Sequence, residues 1–293
     1  MGALSVAYEK MGSMAEQRTA RRVAFQGERG AYGEEAALAY FGDATEPIPC
    51  VSFADVFAAV ERGAVEVGLT PIENSQAGSI NEVYDLLRAP REPRLYVTGE
   101  FSLPVNHCLM ALPGQPLAAI RRVISHPQAL AQSAAYLRGL AVEVVAEYDT
   151  AGSAKLIREQ GLMGVAAVAS ARAADLYQLE ILARNIQTVQ GNYTRFIAFG
   201  PAAAPTPTGP AKTMLLLVTA HHAGALYDAL GVFASRKINL LKLESREGPW
   251  EYVFYLDVEG AATDEPLAAA LTELAAQAPL IQSLGSFPRA AQE

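Results

Sequence analysis

From Arg22 to about residue 200, strand-like and helix-like runs alternate, and this rhythm constrains the fold more than any other feature of the chain. Val23-Ala24-Phe25 is a short apolar run that reads as a buried strand. A glycine loop follows, then a helix over 34–40. Ser52 stands as an N-cap to a helix over 53–62, and Asp55 makes its first turn acidic, which suits the helix dipole. Residues 66–69 read as a strand and 80–87 as a helix behind Ser79. The same order repeats beyond Leu103, with strands expected over 106–111, 123–124, 142–147 and 164–169. Helices are expected over 127–138, 150–159 and 171–177. Pro127 in a first helical turn costs no hydrogen bond, and Ser170 suits an N-cap. This order predicts an α/β protein with mainly parallel sheets covered by helices.

The rhythm stops at a Pro/Ala/Thr stretch over 201–211, which reads as a linker. Beyond it, 212–293 has its own logic. Strands are expected over 213–219, 238–244, 251–258 and 281–287. Leu226, Leu230 and Phe233 share one helical face, and a second helix is expected over 266–276. The order βαββαβ is the ferredoxin-like split βαβ. A unit of roughly 80 residues has a small core, so association with a second copy is expected.

Composition narrows the function. Net charge is −8 over 293 residues, which leaves no electrostatic footprint for nucleic acid. Cys50 and Cys108 have no zinc-ligand spacing and read as reduced thiols of a cytoplasmic protein. His107 adjoins Cys108, but neighbours on a strand face opposite ways, so no metal site is expected there. Residues 1–20 hold no continuous apolar core and read as a disordered extension, and no run reaches membrane-spanning length. Gly27, Gly30 and Gly33 fit neither the dinucleotide nor the P-loop pattern, so a tight loop walling a cleft is expected and no cofactor is implied.

The chemistry gathers at Gly191-Asn192-Tyr193-Thr194-Arg195-Phe196. Thr194 offers a hydroxyl donor, Arg195 a guanidinium able to grip a carboxylate, and Asn192 a second donor on the Thr194 face of a strand. Arg195 would face the other way from Thr194 on a regular strand. Such a set suits a small carboxylate-bearing molecule that loses an oxygen. Thr70-Pro71-Ile72-Glu73-Asn74-Ser75 follows a buried strand, where Glu73 reads either as a cap or as a group orienting Asn74 and Thr194. Ser125 and Gln128 match a capping box, with Gln132 one turn further on the same face.

Together with Gly224-Ala225-Leu226-Tyr227 and Glu244-Ser245-Arg246, these segments, in this order, resemble prephenate dehydratase with its C-terminal ACT regulatory domain, over about residues 22–289. The resemblance implies a two-lobed fold of the type II periplasmic-binding-protein kind, with lobes over 21–104 plus 188–200 and over 105–187, followed by an ACT domain. It implies conversion of prephenate to phenylpyruvate with loss of water and CO₂, without metal or cofactor. Thr194 is then the catalytic residue. Arg195, Asn192, Phe196, Glu73, Asn74, Ser75, Ser125, Gln132 and Asp149 are the implied substrate ligands, with Asp149 standing where the family often has Glu. The segments Gly224, Ala225, Leu226, Tyr227 and Glu244, Ser245, Arg246 are implied to bind L-phenylalanine as feedback inhibitor in a homodimer or homotetramer. The alternatives are an arogenate dehydratase, whose substrate differs by an amino group, and a non-catalytic amino-acid sensor.

Overall fold

A computed structural model describes residues 22–248 and 251–290. The extension expected over 1–20 lies outside the described residues, as do 249–250 between the third-last and second-last strands of the chain. The first half runs β1 (Arg22–Gln26), α1 (Tyr32–Phe41), β2 (Glu46–Cys50), α2 (Phe53–Glu61), β3 (Val67–Asn74), β4 (Gly78–Ser79), α3 (Asn81–Arg88) and β5 (Tyr96–Pro104). It continues through β6 (Cys108–Ala111), β7 (Arg122–Ser125), α4 (Pro127–Gln132), α5 (Ala134–Arg138), β8 (Glu143–Ala146), α6 (Thr150–Gln160), β9 (Val165–Ala169), α7 (Ala171–Tyr177), β10 (Glu180–Ala183) and β11 (Tyr193–Gly200). The last part is β12 (Ala211–Thr219), α8 (Ala225–Ser235), β13 (Leu240–Gly248), β14 (Glu251–Glu259), α9 (Glu265–Gln277) and β15 (Leu280–Pro288).

Two sheets form from the first eleven strands. One has the order β2-β1-β3-β11-β5 with β4 beside β3, the other β10-β6-β9-β7-β8. The chain passes from the first to the second between Pro104 and Cys108 and returns between Ala183 and Tyr193. Both sheets are mixed, because β4 runs antiparallel to β3, and β6 antiparallel to β9 and β10. The sequence rhythm predicts mainly parallel pairing: β6 is read as a strand but its direction is not, and β4 and β10 carry too little pattern to read. β2 is Glu-Pro-Ile-Pro-Cys, and it pairs as the edge strand where two prolines cost no ladder bonds.

Local chemistry sets the ends of the elements. Ser52 and Asp55 exchange reciprocal bonds at the start of α2, a complete capping box. Ser170 Oγ accepts from Ala173 N at 3.1 Å at the start of α7. The expected single helix over 127–138 is two, parted at Ser133. β6 is buried on both faces: Cys108 and Met110 enter one core with Ile124 and Ala154, while Leu109 and Ala111 enter the other with Val123 and Val168. Such a strand shows a continuous apolar run, not an alternation.

The chain divides into two compact units, one of residues up to Val83 plus Ser102–Phe196, the other of Tyr84–Phe101 plus the chain from Ile197 onward. The second unit carries a four-stranded antiparallel sheet, β13-β14-β12-β15, with order βαββαβ along the chain. Leu215, Leu217, Phe254 and Leu256 meet Phe233 and Leu274 of the two helices in one core. On its other side the sheet bonds to 84–101: Tyr255 donates to Tyr84 O at 2.7 Å, and Lys212 Nζ lies 2.8 Å from Glu100 and 3.5 Å from Asp257. That covering segment is not legible in the sequence, because it comes from more than a hundred residues upstream.

Candidate active site

The C-terminal end of β3, the start of β11 and the end of α4 bring four polar side chains together. Asn74 Nδ2 lies 2.8 Å from Asn192 Oδ1 and 3.0 Å from Thr194 Oγ1. Asn192 Nδ2 in turn lies 3.0 Å from Gln132 Oε1. Asn192 and Thr194 are 2% and 9% exposed, so these groups meet where water has little access. Asn74 is held by its own turn: its Oδ1 accepts from Gln76 N at 3.1 Å and Ala77 N at 3.0 Å. Its NH₂ therefore faces Thr194 as a donor. Thr194 Oγ1 accepts that bond, which leaves the Thr194 proton to be given elsewhere. Ser75 stitches the turn to β11 through Tyr193 N, at 3.0 Å.

Arg195 and Glu73 do not join this group. Each follows or precedes a cluster residue on its strand and so faces the opposite side. They pair with each other, Arg195 Nε to Glu73 Oε2 at 3.4 Å. Phe196 returns to the Thr194 face but is 2% exposed and packed in the core.

The expected capping box at Ser125 and Gln128 does not form. His126 is the N-cap of α4, and its Nδ1 accepts from Gln128 N at 3.2 Å. Ser125 Oγ instead donates to Val168 O at 2.5 Å, tying β7 to β9. The strand runs one residue further than the capping pattern allows. Asp149 is the N-cap of α6, its Oδ1 accepting from Gly152 N at 2.7 Å, and burial pushes its carboxyl up. Gly27, at φ +114°, lies against it: a Cβ there would stand 3.1 Å from Asp149 Oδ2.

The loop from Gly27 to Gly30 is bonded at several points to α6 and α7. Ser170 Oγ and Tyr177 OH donate to its carbonyls at 2.8 Å, and Lys155 pairs with Glu28 at 3.0 Å. Glu34, fully buried, accepts from Gly30 N and pairs with Arg172 at 3.1 Å and Arg29 at 3.3 Å. Burial alone would raise its carboxyl. The bonds from Arg172 and Gly30 and the two guanidinium charges outweigh that and hold it below the ordinary value of 4.5. A carboxylate held low stabilises the fold above its unfolded pKa, and that contribution is lost as pH falls through the folded value. Glu34→Gln is expected to cost about 2 kcal/mol near neutral pH. The difference from wild type should shrink as acid takes pH below about 4.5, which urea titrations at the two pH values would show.

Two residues that the sequence does not mark as site residues extend the cluster. His107 Nε2 lies 2.8 Å from Gln132 Oε1, and Tyr32 OH lies 2.9 Å from His107 Nδ1. His107 draws notice in the sequence only as a neighbour of Cys108, and nothing local marks Tyr32. Both cysteines are free thiols, and no group of three or more His, Cys, Asp or Glu converges among the described residues. None of the described helices is long and apolar enough to cross a membrane.

In the second unit, Gly224–Tyr227 open α8 beside a cavity of about 460 Å³ that Tyr252 and Phe254 also line. Glu244, Ser245 and Arg246 lie on β13, the edge strand, and do not line it. Arg246 pairs with Asp85 at 2.9 Å.

Amide groups and a hydroxyl gathered at the strand ends of a two-sheet α/β scaffold form a candidate small-molecule site. The prephenate dehydratase family model matches residues 23–204, and the chain belongs to that family. It is 40% identical to arogenate dehydratase/prephenate dehydratase 1, chloroplastic, of Arabidopsis thaliana, over 91% of this chain and 72% of that protein. It is also 40% identical to a bifunctional N-acyl-homoserine lactone acylase/prephenate dehydratase of Komagataeibacter europaeus, covering 92% of this chain and 96% of the relative. Among solved structures, the prephenate dehydratase of Arthrobacter aurescens in complex with L-Phe superposes with a TM-score of 0.84 at 31% identity, over 92% of this chain and 90% of that one.

Proposed function

We propose that this protein converts prephenate to phenylpyruvate, expelling CO₂ and the ring hydroxyl, with Thr194 as the proton donor to the leaving oxygen. As the carboxylate leaves, its electron pair moves into the ring and the C–O bond opposite breaks. The leaving hydroxide needs a proton, and aromatisation supplies the driving force. The observation that carries the assignment is the 3.0 Å bond from Asn74 Nδ2 to Thr194 Oγ1, which uses that oxygen as an acceptor and leaves the Thr194 proton to be donated. A positioned acid of this kind contributes roughly 10² to 10⁴-fold. Gln132, Asn192 and Asn74 supply the polar frame around it, and Ser75 braces the turn. Arg195, paired with Glu73, serves as a substrate ligand only if a carboxylate replaces that partner. No step calls on a cofactor.

The test is phenylpyruvate formation from prephenate by purified protein, run beside arogenate. Relatives carry both substrates in their names, so the ratio of kcat/KM values decides between them. Turnover of neither substrate would overturn the reading and leave a binding protein. The acylase in the bacterial relative's name makes N-acyl-homoserine lactone hydrolysis the third assay to run.

We infer further that the C-terminal βαββαβ unit, over 212–293, is an ACT regulatory domain that binds L-phenylalanine as a feedback inhibitor. The support is the cavity at Gly224–Tyr227, where the first N–H groups of α8 suit a carboxylate and Phe254 and Tyr252 suit an aromatic side chain. Glu244–Arg246 on the β13 edge reach such a ligand if β13 edges of two copies meet, so a homodimer or homotetramer acting in the cytoplasm is the proposed form. Saturating phenylalanine should suppress turnover through a population shift. Calorimetry that detects no phenylalanine binding would sink the regulatory assignment.

A further inference from the structure

Hydrogen positions through the amide cluster follow from a fixed anchor. Backbone donors cannot flip, so Gln76 N and Ala77 N make Asn74 Oδ1 an acceptor and leave its NH₂ as the donor. Asn192 Oδ1 takes one of those bonds, so only the Asn192 NH₂ remains for Gln132. Gln132 Oε1 therefore accepts, and His107 Nε2, 2.8 Å from the same oxygen, must carry a proton. Burial pushes the His107 ring down towards neutrality. A neutral ring with a proton on Nε2 has a bare Nδ1, 2.9 Å from Tyr32 OH, whose single proton is shared between that nitrogen and Asn106 O at 3.0 Å. The polarity of the chain is thus dictated from one backbone turn to the His107 ring.

We propose that Tyr32 and His107 are positioning residues for the dehydration, holding Gln132 with its Oε1 turned away and its NH₂ presented as a second donor beside Thr194. The inference rests on the prephenate reading of the site. Gln132 Nε2 stands 3.5 Å from Asn74 Oδ1, an oxygen that two backbone donors already occupy, so its protons are poorly used inside the cluster. A leaving hydroxyl and a carboxylate of the substrate each need a donor, and Thr194 supplies only one. Asn192 alone leaves the Gln132 amide free to swing. His107 adds the second hold on Oε1, and Tyr32, beside Nδ1, favours the Nε2–H tautomer that provides it.

His107→Phe keeps the ring that packs edge-on against Tyr32 at 5.7 Å, and Tyr32 OH keeps Asn106 O as acceptor at 3.0 Å, so the fold should survive. The expected result is a fall in kcat of about 30-fold for His107→Phe and about 5-fold for Tyr32→Phe, each larger than the change in KM. The deciding measurement is a double-mutant cycle with Gln132→Met. If His107 acts through Gln132, His107→Phe should change kcat by less than about twofold in the Gln132→Met background. Additive losses would overturn the inference, because they mean that His107 acts independently of Gln132. Nitrogen-15 NMR gives a readout separate from turnover. The His107 ring should show the Nε2–H tautomer in wild type and a mixture in Tyr32→Phe; an Nδ1–H tautomer in wild type would overturn the assignment. Absence of wild-type turnover with the expected tautomer would count against the prephenate reading, and it is distinguishable from failure of the positioning chain.

Discussion

Thr194→Val lowers kcat for prephenate by roughly 10² to 10⁴-fold and leaves thermal stability within about 2 °C of wild type. The kinetic loss follows from removing the hydroxyl proposed to protonate the leaving oxygen. The small stability change follows from the bonds that remain. Asn74 Nδ2 keeps Asn192 Oδ1 at 2.8 Å and Tyr193 O at 3.1 Å, so losing Thr194 Oγ1 strands no buried donor. Valine also keeps the β-branched shape that β11 packs against. Thr194→Ser should retain most of the rate, since it keeps the oxygen and loses one methyl. Steady-state kinetics beside a melting curve is the check. A Thr194→Val enzyme with wild-type kcat would remove Thr194 from the chemistry and leave it as a strand residue.

Gly285→Ala destabilises the second unit by about 4 kcal/mol, because a backbone atom stands where the methyl group would go. Gly285 has φ +149° and sits where the β12–β15 register shifts, a bulge in the sheet. A Cβ there would stand 2.0 Å from Val97 O, a backbone atom that no rotamer change can move aside. Relief requires displacing β5 from β15, and with it the neighbouring bond of Lys212 to Glu100. Equilibrium denaturation should show an earlier transition. If the unit is the regulatory domain, phenylalanine sensitivity should weaken before catalytic turnover does. A variant as stable as wild type would mean that the sheet accommodates the methyl group by a shift the native packing does not suggest.

Much of the α/β order is readable along the chain because its signals are local. Ser52 with Asp55, and Ser170 before Ala171, cap helices through atoms within three residues of one another. The βαββαβ order beyond residue 211 is equally plain, since each strand there is long and bounded by turn residues. β2 escapes notice because two of its five residues are prolines, which do not read as a strand. The Ser125 pattern misleads for a related reason: S-x-x-Q specifies a cap only if the strand before it stops at Ser125, and tertiary pairing with β8 and β9 carries the strand through that residue and the cap to His126.

The candidate site divides the same way. The chain itself sets which residue types lie near each strand end, and strand alternation by itself separates Thr194 from Arg195. What alternation does not give is which side chains from different segments meet. Asn74 and Thr194 are 120 residues apart, Gln132 and Asn192 are 60 apart, and Tyr32 and His107 are 75 apart. Their hydrogen-bond polarity depends on a two-residue backbone turn at Gln76 and Ala77. The sequence determined the elements, their caps and the chemical inventory, because those depend on neighbours along the chain. The tertiary structure alone decided that Arg195 faces Glu73, that 84–101 covers the C-terminal sheet, and that a tyrosine and a histidine stand behind Gln132. Those outcomes depend on packing between segments, which local propensity does not encode.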